Sequence, residues 1–248
     1  MANEQSVQQE IGVFVIGDGR MGTIIRELVE ADAGLKLVGI VGADTKEDLR
    51  EAAPAADVAI DFSHKDMLPL VEAYVARTGA ALVSGVTGYS EEELARVKDL
   101  GRNSAVIHSA NYSLGVAVLR RLAAQAAEAL AEFDIEITET HHNQKADAPS
   151  GTAKLLLEAV NPGGAYEPVY GREGMCGKRD PREIGVHALR GGTVAGTHTV
   201  HFFGPDEEVE LTHRATSRRI FATGAVAAAK RIVAREPGFY TFDELMFA

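Results

Sequence analysis

The chain has 248 residues, 46% apolar and 25% charged, a balance typical of a soluble globular protein with one large domain or two smaller ones. Its formal net charge of −11 argues against nucleic acid as a partner. A small anionic ligand would have to be held by locally placed cations and backbone N–H groups. No run of about 18 apolar residues occurs, so no membrane-spanning helix and no membrane partner is expected.

The first ten residues, MANEQSVQQE, lack the basic start and apolar core of a signal peptide and read as a frayed polar leader. Ile11–Ile16 is a short apolar run that opens into Gly17-Asp18-Gly19-Arg20-Met21-Gly22. Ile24, Ile25, Leu28 and Val29 then recur at helical spacing. Leu35–Val41, residues 58–62, Ala81–Ser84 and Ala105–His108 are further apolar runs, with helical stretches such as 67–77 between them. Ser90 with Glu93 three residues on forms a capping box for a helix starting at Glu91. Strands alternating with helices at this spacing predict an α/β fold with a doubly wound parallel sheet.

The rhythm breaks after Asn111. Residues 114–131 form an Ala-rich helix, 134–140 alternate as a strand does, and Gly151–Val160 is helical. Residues 161–182 are rich in Gly, Pro and charge and read as a loop. It carries Cys176, the chain's one cysteine, which permits no intrachain disulfide and fits a reducing cytoplasm. Glu183–Arg190, 193–203 and 209–215 alternate apolar and polar, predicting an antiparallel sheet with one covered face. A last helix is expected over about 221–234. Residues 1–113 thus read as a first domain and 114–220 as a second, α+β domain with a mixed or antiparallel sheet. The segment 221–248 is expected to return to the first.

Gly17, Gly19 and Gly22 form G-x-G-x-x-G between a strand and a helix. The first glycine makes the tight turn, the second lets a pyrophosphate approach the backbone, and the third lets helix and strand pack closely. The helix N-terminus then faces the phosphates, so residues 17–22 (Gly17, Asp18, Gly19, Arg20, Met21, Gly22) are candidate dinucleotide ligands. At the end of the second strand, where an acid usually holds the ribose hydroxyls of NAD, stands Gly42. Asp44 is the nearest acid, and Arg20 and Lys46 offer charge for a 2′-phosphate. Alternatively, Asp44 and Lys46 only solubilise a loop. NADPH and NADH both remain candidate cofactors.

The densest cluster is Glu139-Thr140-His141-His142-Asn143-Gln144-Lys145-Ala146-Asp147-Ala148-Pro149-Ser150-Gly151-Thr152. On a strand, His141 shares a face with Glu139, and His142 points elsewhere. Lys145 follows on a loop, and Ser150-Gly151-Thr152 opens a helix whose free N–H groups suit a carboxylate. Together these make a site for a small acid that must receive a proton. One rival is a metal site. Adjacent histidines diverge, no third His is near in sequence, and Lys145 repels a cation, so no metal is expected. Another is a polar loop with satisfied side chains. His187, His198, His201 and His213 read mostly as structural or surface residues. His64 ends a βα turn and could border a cofactor.

At this point a resemblance appears. Residues 141–153 resemble the signature H-H-x-x-K-x-D-A-P-S-G-T-A of dihydrodipicolinate reductases at every fixed position. Ser84-Gly85-Val86-Thr87-Gly88-Tyr89 is similar to that family's G-T-T-G-[FY] loop, and Ser109-Ala110-Asn111-Tyr112-Ser113 to its A-N-[FM]-S segment. Arg172-Glu173-Gly174, Arg190-Gly191-Gly192 and Gly196-Thr197-His198 also fit. The resemblance implies a Rossmann-type dinucleotide-binding domain. It also implies a mixed α/β domain that binds substrate and builds a homotetramer. The implied reaction is NAD(P)H-dependent reduction of 4-hydroxy-tetrahydrodipicolinate, a small dicarboxylate, in lysine biosynthesis. Hydride goes to ring C4 and a proton to ring C3.

By the same resemblance His141 is the acid–base residue and Lys145 a proton donor, both cations or near-cations. His142, Gly151 and Thr152 bind substrate carboxylates. Gly85, Val86, Thr87, Ser109, Ala110, Asn111 and Tyr112 line the nicotinamide side. The chain departs from the family pattern in its shorter glycine loop, in Gly42, in Val86 for Thr and in Thr197 for Glu. Another amino-acid oxidoreductase would explain the glycine loop but not the histidine–lysine signature. A non-catalytic sensor would not need His141 and Lys145.

Overall fold

The computed structural model describes residues 10–248, so the polar leader, Glu10 apart, lies outside the described residues. The chain divides into two compact units, one holding the residues up to Tyr112 together with Arg219–Ala248, the other Ser113–Arg218.

In the first unit β1 (Ile11–Ile16) leads through the glycine loop into α1 (Arg20–Glu30), β2 (Leu35–Val41) and β3 (Val58–Asp61). Then come α2 (Leu68–Thr78), β4 (Ala81–Ser84), α3 (Glu91–Asp99) and β5 (Ala105–His108). The capping box forms as expected: Ser90 Oγ accepts from the Glu93 N–H, and the Ser90 N–H donates to Glu93 Oε2 at 2.7 Å. Phe14 and Ile16 of β1 pack with Leu68, Val71, Tyr74 and Val97 from α2 and α3. Val13 and Val15, on the opposite face by the strand's two-residue period, are fully buried too.

The second unit holds α4 (Leu114–Ala129), β6 (Asp134–His141), α5 (Gly151–Val160), β7 (Glu167–Val169), β8 (Glu183–Arg190), β9 (Gly196–Gly204) and β10 (Glu207–Ala215). Its sheet order is β10-β9-β6-β8-β7. The three late strands are not all antiparallel as their alternation suggested, because β8 runs parallel to β6 and to β7. A parallel partner needs a crossover, and α5 lies in the connection between β6 and β8. Ile135 and Ile137 of β6, with Val186, Val200 and Phe202, bury against Leu119 and Ala123 of α4 and Leu156 and Val160 of α5. The other face carries Glu136, Thr138 and Thr140. On it Arg172 and Arg179 pair with Glu136 at 2.8 and 3.2 Å, and Leu189 and Phe203 are exposed.

The chain then re-enters the first unit with α6 (Arg219–Ile232), β11 (Gly238–Tyr240) and α7 (Phe242–Phe247). The completed sheet is parallel in every pairing, in the order β11-β5-β4-β3-β1-β2. α6 packs on α1, β3 and β4. It comes so close to Tyr112 that a Cβ on Gly224 would stand 1.6 Å from the Tyr112 carbonyl oxygen. No described helix is long and apolar enough to cross a membrane.

Candidate active site

The candidate residues of the first unit lie along the carboxyl edge of its sheet. Ile16, Asp61, Ser84 and His108 stand in register as neighbours across β1, β3, β4 and β5. The strand order reverses around β1, with β2 on one side and β3 on the other, which is where open α/β sheets bind ligands.

Each glycine of the loop has the reason the motif demands. Gly17 has φ +102°, a left-handed conformation that L side chains avoid. Among the described residues nothing lies within 4 Å of where a Cβ on Gly19 would be, leaving its backbone open to a ligand. A Cβ on Gly22 would fall 1.7 Å from the Gly17 carbonyl oxygen, so α1 can start here only with a glycine. Asp18, Arg20 and Met21 complete the loop, the first two exposed. These glycines fit a nicotinamide dinucleotide.

The other two loops divide into open and buried parts. Gly85 must lack a Cβ, which would meet the Phe62 ring at 2.3 Å. Thr87 and Ala110 are exposed. Val86 is buried, and its carbonyl lies 2.8 Å from His108 Nε2, so its side chain has no open face. Ser109 Oγ donates to the Asn111 carbonyl at 2.8 Å and accepts from the Asn111 N–H at 3.2 Å, fixing the turn. Tyr112 is also buried. Its hydroxyl donates to the Ser84 carbonyl at 2.8 Å and its ring packs between Phe62 and Phe242, so its side chain acts as an internal strut. His64 is exposed beside Asp66 at 3.2 Å.

The second unit gathers its candidates at the carboxyl end of β6. Alternation along β6 buries Glu139 and His141 on one face, with Glu139 Oε2 3.2 Å from His141 Nδ1. His142 diverges and lies 3.0 Å from Arg218 Nη2. Glu139 is a hub. Its Oε1 accepts from the Ser150 N–H at 3.0 Å and from Arg190 Nη2 at 3.1 Å, and its Oε2 lies 3.6 Å from His198 Nε2. Burial pushes the Glu139 carboxyl upward, but His198, Ser150 and Arg190 outweigh it and hold the pKa at about 2.

Ser150 caps α5, accepting from the Ala153 N–H, while its hydroxyl also lies 3.0 Å from His198 Nε2. The carboxylate that faces His141 thus also anchors the helix start whose first amides belong to Gly151 and Thr152. Among the described residues nothing lies within 4 Å of where a Cβ on Gly151 would be. Lys145, mostly shielded, donates to Asp147 at 2.7 Å, and this bond holds the Asp147 carboxyl below its usual range. In the ligand-free chain the His141 imidazole is held neutral. Burial lowers its pKa to about 4, Glu139 opposing and the positive charges of Lys145 and Arg190 adding to the effect.

Arg190 and His198 complete this cluster, yet their individual importance was not visible in the sequence. His198, read as structural or surface-facing, is only 4% exposed and sits against His141 with ring centroids 5.1 Å apart. It arrives from β9, opposite Glu139 in register, a neighbourhood that only strand pairing creates. It also supplies the third histidine-or-acid ligand that sequence neighbours lack. Glu139, His141 and His198 present ligand atoms within 4.8 Å of one another. The Arg190 guanidinium already bonded to Glu139 opposes a cation there.

Comparison with known proteins gives the same picture. The family model described as "Dihydrodipicolinate reductase, N-terminus" matches residues 11–112, and that described as "Dihydrodipicolinate reductase, C-terminus" matches residues 115–246. A 4-hydroxy-tetrahydrodipicolinate reductase of Caldanaerobacter subterraneus subsp. tengcongensis is 41% identical over 238 residues, covering 92% of this chain and 95% of the relative. That of Staphylococcus aureus is 42% identical over 242 residues, covering 94% and 99%. A dipicolinate-bound dihydrodipicolinate reductase from Paenisporosarcina sp. TG-14 shares the fold with a TM-score of 0.74, at 24% identity over 96% of this chain and all of that one. The chain belongs to the dihydrodipicolinate reductase family.

Proposed function

We propose that His141 and Lys145 provide the proton in the reaction of this family. That reaction is the nicotinamide-dependent reduction of 4-hydroxy-tetrahydrodipicolinate, by way of dihydrodipicolinate, to tetrahydrodipicolinate on the route to lysine. The observation that carries this reading is the cluster at the end of β6. There a buried carboxylate faces His141, and the same carboxylate fixes the start of α5. The α5 amides at Gly151 and Thr152, with His142 beside Arg218, hold the two substrate carboxylates. His141 and Lys145 then sit beside a dianion, which favours the imidazolium and readies a proton for ring C3.

When bound, the nicotinamide supplies the hydride for ring C4. The glycine loop grips the pyrophosphate through its backbone. Gly85, Thr87, Ser109, Ala110 and Asn111 border the nicotinamide, with Val86 contributing main chain only and Tyr112 support from beneath. Both NADH and NADPH are accepted, with Arg20 and Lys46 offering positive charge to a 2′-phosphate.

We further propose a homotetramer in the cytoplasm. α4 and α5 pack on one face of the second unit's sheet, and Leu189 and Phe203 are exposed on the other. The free, exposed Cys176 suits a reducing compartment. The deciding experiment follows NADH and NADPH oxidation with substrate generated fresh by a dihydrodipicolinate synthase. Turnover with either cofactor is the expected result, and its absence with both refutes the reading.

A further inference from the structure

In a dinucleotide-binding sheet the end of the second strand ordinarily carries an acid that accepts hydrogen bonds from the adenosine ribose. Here that position, Gly42, has no side chain to offer, yet it is buried. A carboxylate from another element covers it. A Cβ on Gly42 would stand 2.0 Å from Asp18 Oδ2 and 2.3 Å from Asp18 Cγ. The Gly42 N–H is taken by Thr45 Oγ1 at 3.1 Å, which closes residues 42–45 into a turn of their own.

Asp18 belongs to the glycine loop, where a carboxylate aimed at a pyrophosphate would be repelled. The loop instead lays it over the end of β2. Asp18 is exposed, and its carboxylate has no hydrogen bond or ion pair among the described residues, so both oxygens are available to a ligand. From these observations we propose that Asp18 substitutes for the missing acid. Its carboxylate accepts hydrogen bonds from the adenosine ribose hydroxyls and disfavours a 2′-phosphate, making Asp18 the residue that sets the NADH-to-NADPH ratio. Gly42 is then the other half of one arrangement, because any side chain there would evict the carboxylate. The charges of Arg20 and Lys46 act in the opposite sense, which keeps both cofactors usable.

This inference rests on the glycine loop holding a nicotinamide dinucleotide, and the test separates the two. The full chain, without substrate, is titrated with NADH and with NADPH by nucleotide fluorescence. Asp18→Asn is expected to shift the affinity ratio toward NADPH by about tenfold to a hundredfold, the scale of a charge-assisted contact. Gly42→Ala should shift it the same way with Asp18 intact, because its Cβ displaces the carboxylate. A merely structural effect would weaken both cofactors equally and leave the ratio unmoved. Asp44→Asn should leave the ratio unchanged. If wild type binds both cofactors and neither Asp18→Asn nor Gly42→Ala moves the ratio, the proposal is overturned and the cofactor reading stands. A ratio moved by Asp44→Asn instead also overturns it. Wild type that binds neither nucleotide overturns both.

Discussion

If His141 donates a proton to the substrate ring it must first acquire one, since burial holds its pKa at about 4 in the ligand-free chain. At pH 7 only roughly one His141 in a thousand is then protonated, and placing the proton there costs about 4 kcal/mol at ~1.4 kcal/mol per pH unit. The two carboxylates of the ligand must offset that cost. Binding of a planar dicarboxylate such as dipicolinate should therefore draw close to one proton from solution at pH 7. Its affinity should fall about tenfold for each pH unit above 7, as long as the bound imidazole stays protonated. Calorimetric titration in two buffers of different ionisation enthalpy measures the uptake directly. His141→Gln should bring the uptake near zero and flatten the pH dependence. No uptake in wild type, or full uptake persisting in His141→Gln, would refute the reasoning and leave donation to Lys145 alone.

His141→Ala and Lys145→Ala should each lower turnover by about 100-fold or more while nicotinamide affinity stays near wild type. Steady-state rates paired with cofactor titration check this, and near-normal turnover in both contradicts it. Thr152→Val should raise the Michaelis constant for substrate more than it lowers turnover, because a contact common to ground and transition states is lost. A larger effect on the cofactor would place Thr152 elsewhere. Glu139→Gln leaves Arg190 without its buried partner and should destabilise the chain by about 3 kcal/mol, the low end for such a loss because Arg190 is 21% exposed. A chemical-denaturation midpoint equal to wild type would show that Glu139 does not anchor the site.

Much of this was legible because local chemistry and tertiary structure agree. The three glycines, the Ser90–Glu93 box and the helix at Gly151–Val160 each carry their signal within a few residues, and each stands where expected. Alternation likewise told that Glu139 and His141 share a face, which the structure shows to be buried. What alternation cannot tell is strand direction, so the parallel course of β8 shows only in its pairing. β7 and β11, three residues each, and the six-residue α7 are too short to show a period, and packing decides them. Asp18, Arg190 and His198 share one cause of concealment. Each acquires its meaning from a residue on another strand or loop: Gly42 for the first, Glu139 for the other two.

The Glu139–His141 pair also explains how a site can keep its acid neutral until substrate arrives. Glu139 is fully buried and ionised, yet its charge is largely committed to Arg190 and the Ser150 N–H through Oε1. Its Oε2 and the Nδ1 of His141 are 3.2 Å apart. A neutral imidazole answers that contact by carrying its one proton on Nδ1, toward the carboxylate, which leaves Nε2 as the atom that takes the second proton. With that second proton the Nδ1 contact becomes charge-assisted on both sides. The free chain lacks the negative charge to bring the second proton in against burial, Lys145 and Arg190. A dicarboxylate at the start of α5 supplies it. Binding and protonation are then two sides of one equilibrium, and the acid is made ready only when there is something to protonate.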